Sequence, residues 1–323
     1  MDPAPFLRGN AFGGIEKVPY PRANPADASR LPLDTWMQAQ IPVAVRLELN
    51  GDARAVEIAY RTTTDRLGYR GAGAGTSFVR WRYEQGFVSE PAALGEGKVR
   101  LTLGEPTDHR AVIYLPEGMK PVILDVSPDG GSIEPAGARK RWICYGDSIA
   151  EGWCASGPAT AWPAIVAREH ALDLVNMGYA GAARGEIVSA EHIAELDADV
   201  ISITHGTNCW KRIPHSFAQF RANLHAFLDV VRQGHPATPI VVASPIVRPD
   251  AEDTPNRLGA KLRDLRAAME AVALERGDAN LRLVPGGELV RIDMLGDGIH
   301  PDDDGHRALA DALGPVLAEA ASG

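Results

Sequence analysis

The hydrophobic pattern of this chain changes its period near residue 130, and that change limits the folds open to it. Before it, short segments alternate apolar and polar residues, and turn-forming residues separate them. After it, short apolar runs alternate with longer segments whose apolar residues recur every three or four positions. The first pattern is typical of antiparallel strands and the second of alternating strands and helices. The sequence therefore predicts two architectures in one chain.

Six segments of the first half are predicted strands: residues 43–49, 56–61, 78–83, 99–103, 111–115 and 122–126. Turn-prone stretches separate them, among them Asn50-Gly51 and the glycine-rich stretch 71–75. Short strands joined in this way predict an all-β domain of the sandwich or jelly-roll-like kind.

Five apolar runs of the second half are predicted strands: residues 142–145, 172–175, 200–204, 240–243 and 281–284. Two apolar stripes at helical spacing lie between them and are predicted to face the core: Phe217, Phe220, Leu224, Phe227 and Val231, then Leu258, Leu262, Leu265, Met269 and Val272. This alternation predicts a parallel sheet with helices on both faces. Because residues 127–140 are rich in turn formers, we place a β-domain at 1–135 and an α/β domain at 136–323.

Charge and composition exclude several classes of protein. The chain has 323 residues and a formal net charge of -9, so phosphate backbones and anionic lipids would repel it. Its first residues show no cationic stretch followed by an apolar run, and no segment reaches about 18 consecutive apolar residues. We expect a cytoplasmic protein that binds neither nucleic acid nor membranes; its oligomeric state stays open.

The three cysteines are Cys144, Cys154 and Cys209. An odd number without zinc-ligand spacing argues against a disulfide framework and a structural metal site. Reduced thiols are the favoured interpretation, and a redox contact between Cys154 and Cys209 is the alternative.

Ser148 follows the first predicted strand of the second half, in Gly146-Asp147-Ser148-Ile149. In open parallel sheets, ligands bind at the edge formed by the carboxyl ends of the strands. Ser148 is expected at that edge and is therefore a candidate nucleophile. Asp147 or Ser148 could equally cap the following helix, since both residue types favour that position. From this segment alone both interpretations stay open.

The segment Gly296-Asp297-Gly298-Ile299-His300 carries a carboxylate and an imidazole three residues apart. A serine needs an adjacent base to become a good nucleophile. His300 could be that base and Asp297 its orienting partner. Without Ser148, a polar surface turn would be the better interpretation.

Two further segments follow predicted strands. Asn208, in Gly206-Thr207-Asn208, has a side-chain amide that could donate to an oxyanion, although a turn-forming asparagine is the alternative. Gly181 lies in a glycine-containing loop and could present its backbone N–H beside that of Ser148. No phosphate-binding glycine motif occurs.

These four segments, in this order and at strand ends, resemble the motifs of the SGNH hydrolases, also called the GDSL family. The resemblance covers roughly residues 140–320. Two positions depart from the family pattern: Ile149 stands where leucine is usual, and Cys209 stands where aspartate often follows the asparagine.

The resemblance implies a flavodoxin-like three-layer α/β/α domain, no cofactor and no metal. It also implies a serine esterase that acts through an acyl-enzyme, with Ser148 as nucleophile, His300 as base and Asp297 as its partner. Gly181, Asn208 and Ser148 would form the oxyanion hole. The preceding β-domain is similar to the arrangement in some carbohydrate esterases, so the expected substrate is a small-molecule ester or an acylated sugar. An acyltransferase and a non-catalytic carbohydrate-binding protein are the alternatives.

Five other residues lie near these motifs. Trp153 and Trp210 could line the substrate pocket or pack in the core. Arg248 could favour an anionic substrate group, although a surface salt bridge is the better interpretation. His205 is expected to be a structural histidine with satisfied ring nitrogens, and His306 to lie at a solvated helix start rather than a metal site.

Overall fold

The first half of the chain forms two antiparallel β-sheets. The computed structural model describes residues 1–64 and 75–323, so most of the predicted loop at 71–75 lies outside the described residues. The strands of this half are β1 (Leu7–Arg8), β2 (Arg46–Asn50), β3 (Ala55–Thr62), β4 (Ser77–Arg82), β5 (Gly86–Pro91), β6 (Gly95–Thr102), β7 (Ala111–Tyr114), β8 (Val122–Asp129) and β9 (Glu134–Pro135). One sheet has the order β1-β2-β7-β4-β5, with β9 beside β2, and the other has the order β6-β3-β8.

The two sheets enclose a common apolar core. Its members come from both sheets and include Leu47, Leu49, Val56, Ile58, Phe78, Leu101, Ile113 and Val126. Burial of such alternating side chains between two sheets is what drives a sandwich to form. The all-β prediction for this half is confirmed.

The strand predictions of this half differ from the structure in two ways. Residues 43–45 are buried but precede β2, and neither β5 nor the two-residue strands β1 and β9 were predicted. In β5 no residue is buried, so the strand lacks the apolar face on which the prediction depended.

The second half forms a five-stranded parallel sheet of β10 (Lys140–Gly146), β11 (Leu172–Gly178), β12 (Val200–Thr204), β13 (Ile240–Ala243) and β14 (Leu281–Val284). The strand order is β11-β10-β12-β13-β14, the flavodoxin-like order. All five predicted strands are present.

Helices cover both faces of this sheet. The chain's helices are α1 (Leu33–Ala39), α2 (Ser148–Glu151), α3 (Trp162–Glu169), α4 (Ile187–Glu195), α5 (Phe217–Gly234), α6 (Leu262–Glu275) and α7 (Asp303–Ser322). Residues of α4, α5 and α6 pack in the core on one face, and residues of α2, α3 and α7 pack in the core on the other. The three-layer α/β/α prediction is confirmed.

The predicted apolar stripes lie on α5 and α6 except for Leu258, which precedes α6. The first residue of each stripe is exposed: Phe217, which begins α5, is 46% exposed and Leu258 is 51% exposed. The other stripe residues are buried, as expected. Among residues 1–64 and 75–323, no helix combines the length and the apolar character that crossing a membrane requires.

Residues 22–39 pack on the α/β layer rather than on the sandwich. Leu31 and Ala39 belong to the core beside α4, α5 and α6. Arg22 is fully buried and donates hydrogen bonds to the carbonyl oxygens of Gly178, Gln38 and Ile41. A buried guanidinium is tolerated only when its donors are satisfied, so Arg22 fixes this segment against the carboxyl end of β11.

The buried arginine gives a stability prediction. Arg22→Met should lower the free energy of unfolding by about 3 kcal/mol, because it leaves three buried carbonyl groups and the Glu151 carboxylate without the guanidinium. Urea denaturation followed by circular dichroism measures the change.

Arg30→Met is the matched control. The Arg30 side chain is 49% exposed and pairs with Asp27 and Glu191 at the surface, so its loss should cost much less than the loss of Arg22. Equal losses for the two variants would contradict the role assigned to Arg22.

Candidate active site

Three strand ends meet at one edge of the parallel sheet. In the sheet register, Gly146 at the end of β10 lies opposite Gly178 of β11 and Thr204 of β12. The loops that follow these three ends carry the predicted site residues Ser148, Gly181 and Asn208. Parallel pairing thus places residues that are distant in sequence around one cleft.

The turn from β10 into α2 requires glycine at its start. A Cβ atom at Gly146 would lie 2.3 Å from Thr204 Oγ1 and 2.6 Å from Ala150 Cβ, so no side chain fits there. Asp147 is the N-cap of α2, and its carboxylate accepts the N–H of Ile149 at 3.0 Å. Burial raises the pKa of Asp147 to about 6. Because Asp147 caps the helix, the Ser148 hydroxyl is left for another partner.

That partner is His300. Ser148 Oγ lies 2.8 Å from His300 Nε2, and His300 Nδ1 lies 2.8 Å from Asp297 Oδ2. The serine is buried, the histidine side chain is 13% exposed and the aspartate is 43% exposed. The structure therefore brings together the three residues that the sequence analysis singled out, in a serine–histidine–aspartate order.

The loop that holds Asp297 is closed by its own hydrogen bonds. Its Oδ1 accepts the backbone N–H groups of Ile299 and His300 at 2.9 and 2.8 Å, while Oδ2 faces the imidazole. Partial burial acts to raise the pKa of Asp297, but the hydrogen bonds from His300 outweigh it and lower the pKa below its usual value. The carboxylate therefore stays ionised at neutral pH and orients the ring.

Cys154 lies on the other side of this carboxylate. Its backbone is left-handed, with φ 64°, and its Sγ lies within 4.8 Å of an Asp297 carboxylate oxygen. Burial, together with that negative charge, raises the pKa of Cys154 to about 11. The three cysteines are free, and no disulfide joins Cys154 to Cys209.

Gly181 and Asn208 line the same cavity as Ser148. Gly181 has φ 69°, a conformation that favours glycine. The Asn208 amide donates one hydrogen to the Ala182 carbonyl oxygen at 2.6 Å, and it has a second hydrogen to donate. The N–H of Ser148 belongs to the first turn of α2 and so has no partner within the helix. The three residues predicted to supply oxyanion donors thus line one cavity.

A cavity of about 380 Å³ opens above these residues. Its lining residues are Gln38, Ser148, Trp153, Ala180, Gly181, Thr207, Asn208, Lys211, Arg212, Arg248, Ile299 and His300. Of the three predicted substrate contacts, Trp153 and Arg248 line the cavity. Trp210 lies outside this lining: the Arg248 guanidinium is 5.2 Å from its ring centroid, and its indole N–H donates to the Thr254 carbonyl oxygen.

Six lining residues had not been singled out in the sequence. Gln38 comes from α1, more than 100 residues before the serine. The other five lie within a few positions of a predicted site residue: Ala180, Thr207, Lys211, Arg212 and Ile299. Their positions next to predicted site residues were a signal for these five, whereas Gln38 carried none.

The two other histidines of interest are structural. His205 is fully buried among aromatic rings, which lowers its pKa to about 3, and it does not line the cavity. Contrary to expectation, neither of its ring nitrogens has a hydrogen-bond partner among the described residues. The carboxylates before His306 form the predicted solvated helix start, since Asp303 and Asp304 are exposed. His306 itself is fully buried in α7, and its Nε2 lies 3.0 Å from the Trp153 carbonyl oxygen.

One group of side chains in the described part of the chain could hold a metal ion. Cys154, Asp297 and His300 each offer a ligand atom, and these atoms lie within 4.8 Å of one another. Asp297 and His300 are already joined by the hydrogen bond from Nδ1 to Oδ2. A metal ion at this position would compete with that hydrogen bond.

Comparison with known proteins agrees with the fold and the motifs. The GDSL-like lipase/acylhydrolase family matches residues 144–308, just over half of the chain. A search of curated proteins found no match.

Three solved structures illustrate the likeness. The salicylyl-acyltransferase SsfX3 of a tetracycline biosynthetic pathway is 25% identical, with a TM-score of 0.81 over 95% of this chain and 92% of that one. A GDSL-like lipase candidate of Bacteroides ovatus is 19% identical, with a TM-score of 0.81 over 98% and 95%. A family two carbohydrate esterase of Clostridium thermocellum, solved with cellohexaose, is 15% identical, with a TM-score of 0.62 over 85% and 91%.

The family match falls on the α/β layer and includes the serine, glycine, asparagine and histidine segments described above. The chain belongs to the GDSL-like lipase/acylhydrolase family.

Proposed function

We propose that this chain is a serine esterase that cleaves carboxylic esters of a small molecule or sugar through an acyl-enzyme. The observation that carries the proposal is the continuous hydrogen-bond chain from Ser148 Oγ through the His300 ring to Asp297, with 2.8 Å at each step. Nucleophile, base and orienting carboxylate are the three parts that serine-based acyl transfer needs. Membership of an acylhydrolase family supports the same chemistry.

In the first step, Ser148 Oγ attacks the ester carbonyl carbon while His300 Nε2 takes the hydroxyl proton. The carbonyl oxygen becomes an oxyanion, which the Ser148 N–H, the Gly181 N–H and the Asn208 amide stabilise. Donors that are fixed before the reaction lower this barrier by about 3 kcal/mol each. When the tetrahedral intermediate collapses, the bond to the leaving alcohol breaks and His300 returns the proton to that alcohol.

In the second step, His300 takes a proton from water, whose oxygen attacks the acyl-enzyme. The carboxylic acid leaves and Ser148 regains its proton. Asp297 keeps the ring in the tautomer that has Nδ1 protonated, and it stabilises the imidazolium in both steps. An alcohol or amine in place of water would make the enzyme an acyltransferase, an alternative supported by the likeness to SsfX3.

The proposed nucleophile and base should act as one unit. We expect Ser148→Ala and His300→Ala each to lower kcat for p-nitrophenyl acetate at least about 1000-fold, and the double variant to lose little more. Initial rates from p-nitrophenolate absorbance measure this.

Two variants serve as controls for this experiment. Ser156→Ala removes an exposed hydroxyl that pairs with Thr160, and His205→Ala removes the buried histidine that does not line the cavity. Ser156→Ala should keep the wild-type rate. A His205→Ala enzyme that is folded but inactive, beside an active His300→Ala enzyme, would refute the assigned base.

The carboxylate of Asp297 gives a second prediction. Asp297→Asn should lower kcat by about 100-fold or more and leave KM within a few-fold, because the amide cannot stabilise the imidazolium that forms in each transition state. Steady-state kinetics on the same ester measure both constants. A variant with lowered affinity and unchanged kcat would show that Asp297 acts in binding instead.

The fate of the acyl group separates hydrolysis from transfer. With p-nitrophenyl acetate alone, we expect acetate and p-nitrophenolate in equal amounts. Adding a sugar or simple alcohol at millimolar concentration should leave acetate as the main product, as chromatography of the products would show. An acetylated acceptor as the main product would establish the transferase alternative.

A further inference from the structure

The cavity above Ser148 is basic, although the chain as a whole carries a formal net charge of -9. Three of its lining residues are cationic: Lys211, Arg212 and Arg248. Among the described residues, no aspartate or glutamate lines it. The local charge therefore has the opposite sign to that of the whole protein, and the cavity attracts anions.

Arg248 is held firmly at the wall of this cavity. Its side chain is 4% exposed, and it makes two hydrogen bonds to the Asp250 carboxylate, at 2.7 and 2.9 Å. Trp210 packs against the guanidinium, 5.2 Å from the ring centroid. The salt bridge expected from the sequence is thus present, but Asp250 balances only one of the three cationic charges.

Lys211 and Arg212 have no such partner. Within the described part of the chain, neither forms an ion pair with a carboxylate within 4.0 Å, and both are exposed. Arg212 Nη1 would lie 3.4 Å from a Cβ atom at Gly181, so its guanidinium sits directly over the glycine that we propose as an oxyanion donor. The hydrogen bonds from Arg248 lower the pKa of Asp250 most, and the Lys211 charge helps to lower it, but only at longer range than an ion pair. Two cations that form no ion pair within 4.0 Å among the described residues therefore line this cavity.

We propose that Lys211 and Arg212 form, with Arg248, a subsite for an anionic group of the ester substrate. This inference rests on the proposed function, because it names the substrate class of the same site. A carboxylate or similar anion beside the cleaved bond would pair with Lys211 and Arg212. Trp153, Ala180 and Ile299 supply apolar surface to the same cavity, so the substrate class is a small ester with an apolar body and one anionic end.

The anion could belong to the acyl part or to the alcohol part of the ester. Two pairs of substrates, each with one anionic and one neutral ester, distinguish these positions. The acyl pair is the mono-p-nitrophenyl ester of glutaric acid against p-nitrophenyl pentanoate. The alcohol pair is para-acetoxybenzoate against its methyl ester. For each pair the measured quantity is the ratio of kcat/KM, anionic over neutral, after subtraction of the uncatalysed rate.

At low ionic strength we expect this ratio to be about 10 or more for one of the two ester pairs. Each exposed interaction between a cation and the substrate anion should raise kcat/KM a few-fold. Salt at about 0.5 M should reduce the ratio, because it screens exposed charges. The Lys211→Gln, Arg212→Gln double variant should bring the ratio close to one at low salt. Lys17→Gln removes an exposed lysine outside this cavity and should keep the wild-type ratio.

A ratio near one in both pairs, or a ratio that the double variant leaves unchanged, would overturn the subsite. A chain that cleaves none of the four esters would instead count against the proposed esterase. The subsite is then tested by binding alone: calorimetric titration of Ser148→Ala with glutarate and with para-hydroxybenzoate. Binding that weakens about tenfold in the Lys211→Gln, Arg212→Gln background supports the subsite, and binding that is absent or unaffected overturns it.

Discussion

The parallel pairing of β10 with β11 and β12 is the constraint on which the rest of the site depends. Its register sets the ends of three strands side by side, and each of the three following loops then contributes one part of the cleft. The close approach of α2 to the sheet, which excludes a side chain at Gly146, holds the serine at this edge. Of the five proposed catalytic and oxyanion-hole residues, only the histidine and aspartate come from elsewhere, in the loop before α7. A change in register by one residue would separate these groups.

The parts of the fold that sequence predicted well are those where burial repeats with a regular period. All five strands of the parallel sheet were found because they are short, mainly apolar runs, as expected in a sheet that helices cover on both faces. The edge strand β5 was missed because it has no buried face. The packing of residues 22–39 on the α/β layer was also missed, since it depends on a buried arginine whose partners are backbone carbonyl groups, which no side-chain pattern reveals.

The candidate site was predictable to the extent that its chemistry lies in short local motifs. Ser148, Asp297 and His300 stand in turns whose residue types suit both the backbone and the reaction. A short motif does not show how deeply a residue is buried or what surrounds it. The ring nitrogens of His205 were for this reason expected to have hydrogen-bond partners, and among the described residues they have none. Gln38 reaches the cavity only because a distant segment folds back on the sheet, and Lys211 and Arg212 resemble ordinary surface cations until the cavity is seen.

The cap residue Asp147 has a consequence for the energetics of the whole molecule. Its carboxyl group is 2% exposed, and burial raises its pKa from 3.8 to about 6. The folded protein therefore holds a proton that the unfolded chain has already released, and stability falls as the pH rises from about 4 to 6. Above that range the ionised group costs about 3 kcal/mol of folding free energy, and the cost vanishes in more acidic solution. The turn that carries the serine thus contains a buried carboxyl group whose ionisation lowers the stability of the fold.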